Sequence, residues 1–115
     1  MLISTLLGGD YMVERFSEPE PNVIESSAGF SVRVLGRTGL RYVEGGRSVS
    51  VDSEVLARPR AIAVFVDSIT TWDGAGGPGQ SRVGEADRAR IAGNMKRAFE
   101  SCGYEPEIHA DFDWQ

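Results

Sequence analysis

The sequence predicts an α+β fold, an antiparallel β-sheet meander of about four to six strands with one amphipathic helix from the C-terminal half packed on one face. Three observations carry this. Residues 30–52 alternate apolar and polar side chains between glycine-containing breaks, the period of half-buried strands. Ala61–Val66 is apolar at every position, as an interior strand is. Glu85–Cys102 carries apolar residues at helical spacing between a start and a stop signal.

Within residues 30–52, three antiparallel strands fit. Gly45-Gly46 suits a two-residue turn, because glycine reaches positive φ without a Cβ clash. That turn sets Glu44 opposite Arg47, Tyr42 opposite Val49 and Leu40 opposite Val51, leaving Arg41 and Ser50 on the other face. The earlier break, Gly36-Arg37-Thr38-Gly39, reads as a three-residue loop with Gly39 left-handed in a bulge, which pairs Val34 with Tyr42. Ala61–Val66 is expected at the centre of the sheet.

Gly74, Gly76, Gly77, Pro78 and Gly79 mark residues 71–84 as a mobile surface loop. The helix then starts with Glu85 and Asp87 in its first turn, where the macrodipole favours anions, and stops at Gly103. Ile91, Met95, Ala98, Phe99 and Cys102 form its apolar stripe, with Arg88, Arg90, Lys96, Arg97 and Glu100 mostly toward water. Tyr104–Ala110 is a candidate last strand. Residues 1–21 read as an N-terminal arm or extra strand, with Glu18-Pro19-Glu20-Pro21 separating it from a single domain over 22–115.

At 115 residues, 41% hydrophobic and 25% charged, the chain suits one globular core. Its net charge of −5 is uneven: residues 1–25 and 105–115 are acidic and the middle is basic. An acidic chain is a poor ligand for nucleic acid, whose binding draws on Lys and Arg, and a better one for a basic protein. Cys102 is the lone cysteine and can form neither an intramolecular disulfide nor a cysteine zinc site. Met1–Leu7 lacks a basic flank and ends at Gly8-Gly9, and no apolar run is long enough to span a bilayer. A cytoplasmic protein without a membrane partner is expected.

His109, Asp111 and Asp113 alternate and would share one face of an extended segment, but no fourth metal ligand is marked, so no metal is expected. Cys102 with His109 would be a nucleophile and base, yet Cys102 falls on the apolar stripe of the helix. The glycine loop before the helix lacks a Gly-Lys-Ser/Thr, and Glu85 and Asp87 would repel phosphate there. No catalytic residue and no cofactor are expected. For partner contact the first candidates are Trp72 and Asp73 with the adjoining loop, and Asp111 and Asp113 in the acidic tail; Arg37, Arg41 and Arg47 come second. Trp72, at the end of the central strand, reads first as a core plug and second as a partner contact.

Val34-Leu35-Gly36-Arg37-Thr38-Gly39-Leu40-Arg41-Tyr42-Val43-Glu44-Gly45-Gly46-Arg47, with Val51-Asp52-Ser53-Glu54, Ile69-Thr70-Thr71-Trp72-Asp73 and the helix Glu85–Phe99, resembles small bacterial immunity proteins of polymorphic toxin systems. The resemblance covers roughly residues 30–108 and does not extend to residues 1–25. It implies a cytoplasmic protein that binds and neutralises a cognate toxin domain without chemistry of its own. The acidic ends would suit a basic toxin such as a nuclease. Two other classes stay open: a homo-oligomeric scaffold, for instance a homodimer paired through the N-terminal arm, and an unrecognised enzyme.

Overall fold

The computed structural model describes residues 13–73 and 82–115. Among these residues, seven strands run in one curled sheet: β1 (Phe16–Glu20), β2 (Val23–Ser26), β3 (Phe30–Val34), β4 (Thr38–Glu44), β5 (Arg47–Val55), β6 (Ala61–Phe65) and β7 (Glu105–His109). The spatial order follows the chain order. A 3-10 turn, Val66–Ser68, and one helix, α1 (Glu85–Ser101), lie between β6 and β7. The fold is α+β with its helix in the C-terminal half, as expected, but with more strands than the expected four to six.

The hairpin of β4 and β5 pairs as its glycine turn dictates. Glu44 opposes Arg47, Tyr42 opposes Val49, Leu40 opposes Val51 and Arg41 opposes Ser50, with Gly45 and Gly46 both at positive φ. The connection from β3 to β4 does not pair as expected. Val34 opposes Leu40 and Val32 opposes Tyr42, two residues away from the expected register. A two-residue slip keeps every side chain on its own face, so the apolar pattern could not choose between the two registers. Gly39 does have a positive φ and sits at a bulge, but against β5, where the Ser53 hydroxyl accepts its amide at 2.9 Å.

β6 is interior but one strand from the edge; β4 is central. The sheet is also not wholly antiparallel, because β6 and β7 pair in parallel, Ala61 with Glu105 through Phe65 with His109. A parallel pair needs a long crossover, and residues 66–104 supply it with α1. At the other edge, the Glu18-Pro19-Glu20 segment is no divider. It lies within β1, which pairs antiparallel with β2 around an irregularity between Ser17 and Glu20. Proline is tolerated in such an edge strand because its missing amide need not serve a second neighbour. Residues 1–12 of the expected arm and residues 74–81 of the glycine loop lie outside the described residues.

α1 buries Ile91, Ala92, Met95, Ala98 and Phe99 against the inner sheet face. Cys102 is only half-buried, and Ala92 takes a full place in the stripe. The helix ends in a paired capping motif: Tyr104 donates to the Phe99 carbonyl at 2.9 Å and Gly103 to that of Glu100 at 3.1 Å, with Gly103 at φ +81°. Arg60 fastens this end, donating to the Cys102 carbonyl at 2.6 Å and lying over the Tyr104 ring. Among the described residues, no helix is long and apolar enough to cross a membrane.

Candidate functional site

Strand alternation sends Tyr42 and Glu44 toward α1 and Arg41 to the outer face. The chain leaving the 3-10 turn then runs beside the start of β5, where the Asp73 amide donates to the Ser48 carbonyl at 2.7 Å. This brings four of the seven candidate residues, Arg41, Arg47, Trp72 and Asp73, to one region. Outside, the Asp73 carboxylate takes a hydrogen bond from Ser50 at 3.2 Å and faces Arg41 at 3.6 Å, while Arg41 donates to the Ser48 hydroxyl at 3.0 Å. Inside, the Arg47 guanidinium lies 3.9 Å from the centre of the Trp72 ring. Trp72 itself is fully buried, so of its two readings packing is the one the geometry supports.

The other candidates lie apart. Arg37 is in the β3–β4 connection; its carbonyl accepts the Val55 amide at 2.9 Å, and its guanidinium makes no ion pair among the described residues. Asp111 is tied through its amide to the Asp67 carboxylate at 2.9 Å. Asp113 is exposed and accepts the Gln115 amide at 3.3 Å. Between them Phe112 lies under the Arg88 guanidinium, and Phe112 and Trp114 pack on the core, so the tail is fastened rather than loose.

Sequence reasoning missed a polar network on the inner face. The Tyr42 hydroxyl donates to Glu44 at 2.6 Å and accepts from Asn94 at 2.8 Å, while Arg90 donates to Glu44 at 2.7 Å and to Asp87 at 2.8 Å. Burial pushes the Tyr42 phenol up, and the Glu44 carboxylate beside it adds to the shift. Burial would also raise Glu44, but hydrogen bonds from Arg90 and Tyr42 outweigh it and hold the carboxyl below its usual range. The network borders an open cleft between the β2–β3 turn, the β4–β5 turn and α1. One signal was available in the sequence: Glu44 shares the face of Tyr42, so its charge needed a partner.

Cys102 and His109 keep different company. The Cys102 thiol lies near Glu18, Ser101 and Arg60, and its pKa is pushed up by burial and then by the Glu18 carboxylate, the reverse of an activated nucleophile. His109 stacks on Phe65 and faces Glu107 at 3.4 Å. Among the described residues, no three His, Cys, Asp or Glu side chains group as a metal site. Among the described residues, Cys102 and His109 therefore do not form a nucleophile and base. No protein-family model, curated protein or solved structure matches the chain.

Proposed function

We propose that this chain is an immunity-type protein that binds and neutralises a cognate bacterial toxin domain in the cytoplasm of its producer, without catalysis. The observation that carries the reading is the convergence of Arg41 and Arg47 with Trp72 and Asp73: two separate stretches of the sequence resemblance meet at one end of the β4–β5 hairpin. Trp72 anchors that end from within, and Arg41 and Asp73 present charge to the exterior. A binding protein requires only a stable scaffold and such a surface.

The test is co-expression with each product of the neighbouring open reading frames in a sensitive host, followed by calorimetry on any toxic product. The chain is expected to rescue growth from one such product and to bind it directly. If every toxic neighbour kills equally with and without the chain, and none binds it, the reading fails.

A further inference from the structure

We propose that the outer face of the sheet at β5–β6–β7, centred on the stacked Phe65–His109 pair, is the docking surface for a basic, arginine- or lysine-rich protein segment. The inference rests in part on the binding role above and names the chemistry of the partner. α1 covers the inner face of the sheet. Most of the outer face is polar, but Phe65 and His109, cross-strand neighbours in the parallel pair, stack with ring centres 5.1 Å apart. Phe65 is half-buried and the His109 side chain is 52% exposed. An exposed, ordered aromatic pair is the kind of anchor on which protein interfaces concentrate their affinity.

Carboxylates surround it. Asp52 is the cross-strand partner of Phe65 and Glu54 follows on the same face; both line, with Phe65, a cleft of about 360 Å³. Two residues beyond each aromatic ring, Asp67 and Asp111 are joined by a hydrogen bond. Among the described residues, none of these four carboxylates has an arginine or lysine within ion-pair distance, although Glu14, Glu20, Glu44, Asp73, Asp87, Glu100, Glu105 and Glu107 all do. Desolvation and the neighbouring Asp111 push the Asp67 carboxyl up, against the weaker opposing pull of the Asp111 amide and of Arg88.

Other ligands fit less well. Nucleic acid would be repelled, and these carboxylates form no three-ligand metal group. A second copy of the chain would bring 17 acidic residues against 12 basic ones. A cationic segment stacking a guanidinium on the aromatic pair and meeting the carboxylates satisfies both features.

The test is a titration of the full, isotope-labelled chain with a synthetic arginine-rich decapeptide, followed by amide shifts, and a parallel affinity measurement on Asp52→Asn/Glu54→Gln and on His109→Ala. Thermal melts establish that the variants fold. The largest shifts are expected around residues 52–54, 65–67 and 109–111, with affinity falling about tenfold in the double-neutral variant and less at high salt. Shifts centred on the other acids without an ion pair among the described residues, Glu18, Glu25, Glu85 and Asp113, or variants that bind within about twofold of the parent, would overturn the proposal. If a toxic neighbour binds the chain while these variants leave that affinity unchanged, this surface is wrong and the immunity reading stands. If the decapeptide maps to Phe65–His109 but no neighbour binds, the surface stands and the immunity reading falls.

Discussion

Strand β4 presents two different kinds of charge on its two faces. On the inner face, Glu44 is only 18% exposed in its side chain and is held by Tyr42, Arg90 and Arg47. On the outer face, Arg41 and Asp73 meet at 3.6 Å with 44% and 37% of their side chains in solvent. The inner group is costly to disturb, because a partly buried carboxylate that loses its donors keeps its desolvation penalty. The outer pair is screened by water and adds little to the fold. The residues with the strongest mutual interactions therefore belong to the scaffold, and those free to be spent on a partner are the weakly coupled ones.

The largest effect should come from the core plug beneath this region. Trp72→Ala empties a fully buried site and removes the stacking surface for Arg47, so we expect a loss of about 3–5 kcal/mol in chemical denaturation. Among the described residues Trp72 Nε1 has no hydrogen-bond partner, so Trp72→Phe should cost distinctly less. A similar loss for both would show that the indole N–H is satisfied by a group the geometry does not reveal.

Next comes Glu44→Gln, expected to cost about 1–3 kcal/mol at neutral pH by weakening the bonds from Arg90 and Tyr42. Because the folded-state carboxyl is held below its ordinary value of 4.5, its contribution is fully present above that value. It is lost as pH falls through the lower, folded-state value. Glu14, lowered through Arg97 and Ser26 against the effect of its burial, behaves in the same sense. Thermal melts between pH 7 and pH 2 should therefore show a shallower acid decline for Glu44→Gln than for the parent chain. A parallel decline would place the acid sensitivity elsewhere.

How much of this could be read beforehand depended on whether a local rule had one solution. Gly45-Gly46 supplies both positive-φ positions of a two-residue turn, and that turn sets Tyr42 opposite Val49, so the β4–β5 register followed from the sequence. The Gly36–Gly39 connection admitted two registers with the same facing, so the apolar pattern alone could not select Val34 opposite Leu40. The parallel pairing of β7 was not legible, since a five-residue strand carries no mark of its direction; only the crossover through α1 sets it. For the candidate residues, pattern placed Arg41 outward but could not bring Asp73 beside it, because that contact joins segments 32 positions apart. The network at Glu44 was not legible because Arg90, which binds Glu44, and Asn94, which binds Tyr42, come from a helix whose docking angle the sequence does not encode locally.

A smaller effect tests whether the helix end, and with it the seat of Asn94 and Arg90, depends on the capping glycine. Gly103 has φ +81°, and an added Cβ would lie 3.4 Å from Arg60 Nε. Gly103→Ala should cost about 1 kcal/mol, measured by denaturation. No change would mean that the turn relaxes freely and that Arg60, not glycine, fixes the end of α1.

The smallest expected change in stability is at the outer pair, and it is the most informative about function. Arg41→Ala and Asp73→Ala remove side chains that are more than a third exposed, while the Asp73 amide keeps its bond to the Ser48 carbonyl. Screening leaves a coupling of about 0–0.5 kcal/mol, so a double-mutant cycle on unfolding should read near zero. The same two variants, carried into the growth-rescue assay, separate the faces of β4. Unchanged stability with lost rescue assigns the outer residues to the partner, whereas unchanged stability with full rescue removes them from the contact surface. A large coupling on unfolding would mean that the outer charges are part of the scaffold after all, and the distinction between the two faces would fail.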